Sequence, residues 1–375
     1  MNDPIDRLRL IRTESVGPVT YRRLMARFAR VEDALDALPG LARAGGRQTA
    51  LNIPTRAWAE REMAALSRLG GRMVFLGDPD YPAYLATLAD APAAFAMLGD
   101  AALLAAPGIG VVGARNASAN GLRIAETLAA ELAVRLIVVS GLARGIDTAA
   151  HQGALRTGRT IAVVAGGLDQ PYPPENAALQ ARVAESGVVI AEAPLGTAPQ
   201  GRHFPKRNRI IAGLVCGLVV IEAASRSGSL LTARLANEAG REIFAVPGSP
   251  LDPRSAGAND LIRQGAHLTE TAADIFENLP SVRPHTGAAL PGFAEPAMAF
   301  KGQSEVDLAV IARARRDIPP LIGAEPVAVD EIARRCHLSH AAVLAVLLEI
   351  ELAGGVETLP GNRVVRVETH DWNGS

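Results

Sequence analysis

From residue 108 to about residue 278 the sequence alternates short apolar runs with helical patterns, and this alternation restricts the possible folds more than any other feature. The runs cover residues 110–112, 136–139, 160–165, 188–191, 218–221 and 242–246. Most are unbroken and rich in β-branched residues, as strands covered on both faces of a parallel sheet must be. Helical patterns between them, such as residues 119–133 and 148–155, complete repeated βαβ units. The expected class is α/β, a Rossmann-like, doubly wound and mostly parallel sheet.

The flanks differ in pattern. Residues 1–70 read as a small helical domain of the SAM or helix-hairpin-helix kind. Leu8, Ile11, Leu24, Met25, Phe28, Leu35 and Leu38 fall at helical spacings, with turns expected at Gly17-Pro18 and Pro39-Gly40. Such a turn offers backbone amides to phosphate, although Pro18 removes one of them; a packing or docking module is the other reading. Residues 71–278 hold the Rossmann-like domain with a lead-in that contains one short strand, 73–76. Prolines and glycines mark residues 279–303 as a linker. Residues 304–375 give three helical patterns and an alternation around Pro360-Gly361-Asn362, which together make a winged helix. Its supposed recognition helix, SHAAVLAVLLEIELAGG, carries no Arg or Lys and two Glu. A helix that enters a major groove faces phosphates with cations, so this domain is expected to contact protein and not duplex DNA.

Net charge over 375 residues is only -1, yet Arg202, His203, Lys206, Arg207 and Arg209 crowd into eight positions. Charge gathered in this way points to an anionic ligand, phosphate above all, and excludes a protein that coats nucleic acid with its whole surface. Phe204 stands inside the cluster, where it either stacks on a base or belongs to the core. Cys216 and Cys336 lie far apart in apolar segments and read as buried thiols, with no disulfide framework and no metal spacing. The charged start of the chain is no signal peptide, and the longest uncharged central run, 101–114, is too short to span a bilayer. A cytoplasmic protein without membrane contact is expected.

Residues 108–113, GIGVVG, spell the dinucleotide signature G-x-G-x-x-G, but the glycines fall before or within the strand and not after it. The second strand also ends in Ser140-Gly141 and lacks the acidic residue that a ribose needs. No nicotinamide cofactor is therefore expected. The usable loops start later. Gly113-Ala114-Arg115 leaves the first strand, and Ser118 caps the next helix, leaving amides and Arg115 to face the crevice. Ser140, Gly141 and Arg144 follow the second strand; Ser227, Gly228 and Ser229 follow the fifth. With the basic loop 202–209, all leave the carboxyl ends of presumed parallel strands, where ligands of such sheets bind.

These stretches carry a resemblance. VVGARNAS at 111–118, SGLARGIDTAAHQGAL at 140–155, TIAVVAGGLDQPYPPEN at 160–176, FPKRNRIIAGL at 204–214, SGSLLTARLA at 227–236 and GANDLIRQGA at 257–266 resemble the DNA-processing protein A (DprA/Smf) family. So do Tyr81-Pro82, Asp90, Pro92 and AVPGS at 245–249, and the likeness covers nearly all of residues 80–275. It implies a homodimer, joined through the Rossmann-like domain, that binds and protects single-stranded DNA. The same likeness implies loading of the RecA recombinase during natural transformation, with no catalytic reaction, cofactor or metal. The family's groove carries over to Gly113, Arg115, Ser118, Ser140, Gly141, Arg144, Phe204, Arg207, Asn208 and Arg209. Arg202 or Lys206 would have to supply the charge of a lysine that some members have at the position of Gly201, and Ala114 stands where a Ser or Thr is common.

Three other readings stand beside this one. A phosphoribohydrolase-like enzyme requires a Glu in a Gly-rich loop, but SGSLLTAR has Thr232 and Ala233 there, with Glu222 earlier and Glu238 later. A metal-dependent nuclease would use Asp147 and His151, one helical turn apart; otherwise Asp147 caps the helix and His151 packs. A protein adaptor would turn the basic loop toward an acidic partner.

Overall fold

Asp3 accepts a hydrogen bond from the amide of Ile5, and Pro4 occupies the first turn, so the chain enters α1 (Pro4–Arg12) at once. A computed structural model describes residues 3–279, 308–359 and 362–367. Helices α2 (Pro18–Arg27), α3 (Val31–Ala44) and α4 (Arg56–Arg68) follow. The turn expected at Pro39-Gly40 is absent: α3 runs through both residues. Leu35, Leu38, Leu41 and Ala42 form one buried stripe along it, and this burial outweighs the hydrogen bond that Pro39 cannot make.

The described residues fall into two compact units, one built from residues up to Arg61 together with the C-terminal part, the other beginning at Glu62. The second unit contains β1 (Arg72–Phe75), α5 (Ala83–Ala86), β2 (Ala94–Gly99), β3 (Gly108–Gly113), α6 (Ala119–Leu132), β4 (Ile137–Ser140) and α7 (Ile146–Thr157). It continues with β5 (Thr160–Val164), α8 (Ala177–Ser186), β6 (Val188–Ala191), α9 (His203–Leu214), β7 (Gly217–Ile221) and α10 (Gly228–Glu238). Strand β8 (Glu242–Ala245), α11 (Ala256–Arg263), β9 (His267–Leu268) and α12 (Ala272–Asn278) complete it. The nine strands lie in the order β1-β2-β6-β5-β4-β3-β7-β8-β9. Strand β2 is antiparallel to β1 and β6, and every other neighbour is parallel.

From β3 the order runs one way through β4, β5 and β6 and the other way through β7, β8 and β9. The winding therefore reverses between β3 and β7, and the crevice at that switch lies beyond their carboxyl ends. Side chains alternate along the strands. Val112, Val139, Val163 and Val220 enter one buried cluster; Ile109, Val111, Val138 and Val219 enter the other. The sheet is thus covered on both faces, which explains the unbroken apolar runs.

Strand β2 was expected to be connecting structure. AFAMLG has no β-branched residue, and its place comes from pairing on both sides, Met97 opposite Arg72 and opposite Ile190. The basic segment is likewise not a loop. Residues 203–214 form α9, and Pro205 stands in its first turn, where a missing amide hydrogen breaks no helical bond.

In the first unit, α13 (Leu308–Asp317), β10 (Val327–Ala328), α14 (Val329–Cys336), α15 (His340–Leu352), β11 (Val356–Leu359) and β12 (Arg363–Arg366) form a winged helix with strand order β10-β12-β11. One face of α15 packs into its core through Val343, Val346 and Leu347. The opposite face is covered by α3. Gly45, just past α3, lies so close to the carbonyl of Glu349 that no Cβ fits between them. Arg23 reaches Glu351 at 3.6 Å and donates to the Thr358 hydroxyl at 3.3 Å. Burial raises the Glu351 carboxyl above its ordinary value, against the opposing pull of Arg23. Most of the helix that would enter a DNA groove is therefore buried against α3 and its own domain, with its first residues, His340 and Ala341, exposed. Residues 280–303 of the expected linker, and Pro360-Gly361 of the wing turn, lie outside the described residues.

Candidate nucleic-acid interface

The loops that leave β3 and β5 and the start of α9 meet around one ring, that of Phe204. The Arg115 guanidinium lies 4.8 Å from its centroid and that of Arg207 5.9 Å away. Tyr172, from the segment between β5 and α8, packs against it with centroids 5.8 Å apart and planes at 61°. Cations over an aromatic face are held by its quadrupole, about 0.5–1 kcal/mol at exposed sites. Arg115 is exposed, whereas Phe204 is half-buried.

Arg207 is only 6% exposed. Its guanidinium lies against the Cα of Gly141, faces the Asp147 carboxylate at 3.9 Å and donates to the carbonyl of Val163 at 3.3 Å. Burial lowers the Arg207 pKa from its ordinary value, partly offset by Asp147; burial raises that of Asp147, opposed by Arg207. The sequence places Arg207 among cations tracking phosphate, and the structure holds its guanidinium beneath the surface. It supports Phe204 and brings positive charge to the base of the crevice. The sharp backbone turn beside it places Leu142 at φ 57° and Gly145 at φ 76°.

Ser118 caps α6, accepting from the Gly121 amide at 2.9 Å. Its own amide donates to Glu222 at 2.8 Å, and its hydroxyl donates to the second oxygen of that carboxylate. A Cβ on Gly121 would come within 2.6 Å of the Glu222 carboxyl carbon. The anion position at this helix start is thus filled by the chain itself. The helix terminus attracts negative charge, and Glu222 supplies it beside Ser118.

Other expected site residues divide in the same way. Ser140 is fully buried and donates to the carbonyl of Val111 at 2.6 Å, so its hydroxyl is turned into the sheet and not toward the crevice. Asn208 is buried and donates to the carbonyl of Gly228 at 3.4 Å, tying α9 to the start of α10. Arg209 donates to the Asp90 carbonyl at 2.7 Å and to Glu192 at 2.5 Å, which makes it a fastening beneath the site. The hydroxyls of Ser227 and Ser229 bond to one another, Ser229 is buried, and Gly228 is exposed. Arg144 is exposed and paired with Glu175; Arg202 and Lys206 are exposed at the start of α9. Gly113 ends β3 packed against Ile221 and Ile146.

Two residues escaped sequence reasoning. Tyr172 sits in a proline-rich segment without a cationic residue, and Arg226 stands exposed in the loop after β7. Only the position after a strand of the parallel sheet marks either of them.

The Asp147–His151 pair has separate partners. His151 is fully buried with Nδ1 2.8 Å from the Thr160 hydroxyl, which itself donates to the carbonyl of Val138 at 2.6 Å. The only hydroxyl proton is committed there, so His151 donates from Nδ1 and carries no proton on Nε2. Burial pushes its pKa down to about 3. Among the described residues no group of three His, Cys, Asp or Glu is placed to hold a metal ion, and no helix is long and apolar enough to cross a membrane.

Comparison with known proteins agrees with the resemblance. The family described as DNA recombination-mediator protein A matches residues 72–280. The DprA-like N-terminal HHH domain matches residues 1–65, and the DprA winged helix domain matches residues 304–362. DNA processing protein DprA of Bacillus subtilis is 43% identical over 223 residues, 59% of this chain and 75% of that protein. Protein Smf of Escherichia coli is 40% identical over 290 residues, 76% and 74% of the two chains. The X-ray structure of DNA processing protein A from Streptococcus pneumoniae superposes with a TM-score of 0.62 at 34% identity, covering 75% of this chain and 99% of that one. That of Helicobacter pylori, described for its single-stranded DNA binding mode, gives 0.50 at 29% identity over 55% and 94%. With its Rossmann-like sheet, helical front and winged helix all matched, the chain belongs to the DNA-processing protein A family.

Proposed function

We propose that this protein binds single-stranded DNA, without sequence preference, along the carboxyl edge of its parallel sheet. The observation that carries the reading is the convergence of Arg115, Arg207 and Tyr172 on Phe204 from separate segments of the chain. Arg115, Arg202, Lys206 and Arg144 supply charge for phosphates at the surface, while Arg207 adds charge from beneath. Gly228 lets backbone approach the strand, Gly113 and Gly141 give room to packed neighbours beneath it, and Ser118, Ser140, Asn208, Arg209, Ser227 and Ser229 hold the loops in shape. An aromatic ring such as Phe204 at the crevice favours unpaired bases, which a duplex does not offer. The single-stranded DNA binding described for the Helicobacter pylori relative supports the same reading.

In this reading the bound strand is protected and passed to the RecA recombinase during DNA uptake, by a cytoplasmic homodimer joined through the Rossmann-like domain. The role is one of binding and not of catalysis. Glu222, the acid nearest the Gly-rich loop, is bonded to Ser118, and Asp147 faces Arg207. Anisotropy titrations of a labelled oligo-dT and a duplex of equal length across a salt series test the core statement. Tighter, salt-sensitive binding of the single strand is expected; equal affinity for both, or release of free base from nucleotides, would overturn it. Shortening by this protein of the lag in RecA assembly on a coated strand tests the loading step.

A further inference from the structure

Among the described residues of the second unit, Tyr172 is the exposed aromatic ring, 46% accessible at the mouth of the crevice. Its surroundings keep it there. Asn176 donates to the carbonyl of Leu142 at 2.9 Å and to the Thr148 hydroxyl at 2.8 Å, which pins the end of its segment to the loop after β4. Pro173 beside it is buried. A ring fixed in water loses little freedom when a ligand covers it, which favours binding.

Phe204 is less suited to take a base. Guanidinium groups of Arg115 and Arg207 stand within 4.8 and 5.9 Å of its ring. Tyr172 meets Phe204 at an angle, so the two rings do not cover each other face to face. Arg144 lies close enough to interact electrostatically with Tyr172 and is held in place by Glu175. Cations from two different loops, Arg115 against Phe204 and Arg144, therefore lie in the neighbourhood of the tyrosine ring.

We propose that Tyr172 is the base-stacking platform of this site: one nucleobase lies on its ring while Arg115 and Arg144 engage the flanking phosphates. Phe204 becomes the buttress behind that platform. The inference rests on the single-stranded DNA reading above, which assigns no base to Tyr172.

The test uses the full chain, an oligo-dT and an abasic strand of equal length and charge. Tyr172→Ala is expected to weaken oligo-dT binding by about tenfold or more while leaving abasic binding unchanged, and Tyr172→Phe to behave like the unsubstituted protein. In Tyr172→Trp, indole emission should be quenched by oligo-dT but not by the abasic strand, beyond any change in the unsubstituted chain. Equal loss on both strands, no loss on either, or quenching by both would overturn the platform while leaving single-strand binding intact. Failure of the unsubstituted protein to bind either strand would instead remove the underlying reading.

Discussion

The Arg207 guanidinium occupies the space that a Cβ on residue 141 would need, so any side chain at Gly141 must displace Arg207. This contact joins the loop after β4 to α9 and leaves the guanidinium facing Asp147. Gly141→Ala should displace Arg207 and cost about 1–3 kcal/mol of stability, as overpacking does. Urea unfolding measures the loss, and anisotropy with oligo-dT should show weakened binding in the same variant. A variant as stable as the parent would mean that the contact is looser than described.

Arg115 is exposed, and its charge faces the crevice across Phe204. Arg115→Ala should weaken binding to every single strand alike. The slope of log affinity against log salt should become shallower by about 0.7, the value for one lost phosphate contact on a single strand. A loss confined to some sequences would point instead to base recognition by Arg115.

Ser118 gives the opposite expectation. Its hydroxyl and amide are both bonded to Glu222, and the hydroxyl also caps α6. Ser118→Ala should lower stability by about 1 kcal/mol, a typical cap effect, with oligo-dT affinity unchanged. Thermal unfolding and anisotropy on one preparation separate the two effects; weakened binding at unchanged stability would show the hydroxyl acting on DNA.

His151 makes stability depend on acid. Above a pH of about 6.5 the ring is neutral in both folded and unfolded chains, so it contributes no slope. Below that, the unfolded chain takes up a proton while the buried ring, with its pKa near 3, does not, so stability falls as pH falls. The slope approaches about 1.4 kcal/mol per pH unit within that window. His151→Asn keeps a donor for Thr160 and should remove this component, seen as a flatter stability curve between pH 6.5 and 4 in urea titrations.

Much of this was legible from residue order. Strand runs such as 188–191 announced the parallel sheet because burial on both faces demands apolar residues without interruption. AFAMLG announced nothing, since β2 owes its existence to neighbours distant in sequence. In the site, the cationic cluster marked the correct segment but not its conformation: Pro205 suggests a loop until its place in a helical first turn is known. Charge likewise did not reveal direction. Arg207 and Arg209, two positions apart, are both engaged beneath the surface, whereas Arg202 and Lys206 stand in water. The bond between Ser118 and Glu222 joins residues over a hundred positions apart, and no local pattern encodes it.

The packing of α3 on α15 has a consequence for synthesis. The opening helices leave the ribosome long before the segment that shelters Gly45 and Arg23 has been translated. Domains otherwise consolidate in order of emergence. Here the middle of the polypeptide can settle first, while the face of α3 that α15 covers stays open until that later helix has been made.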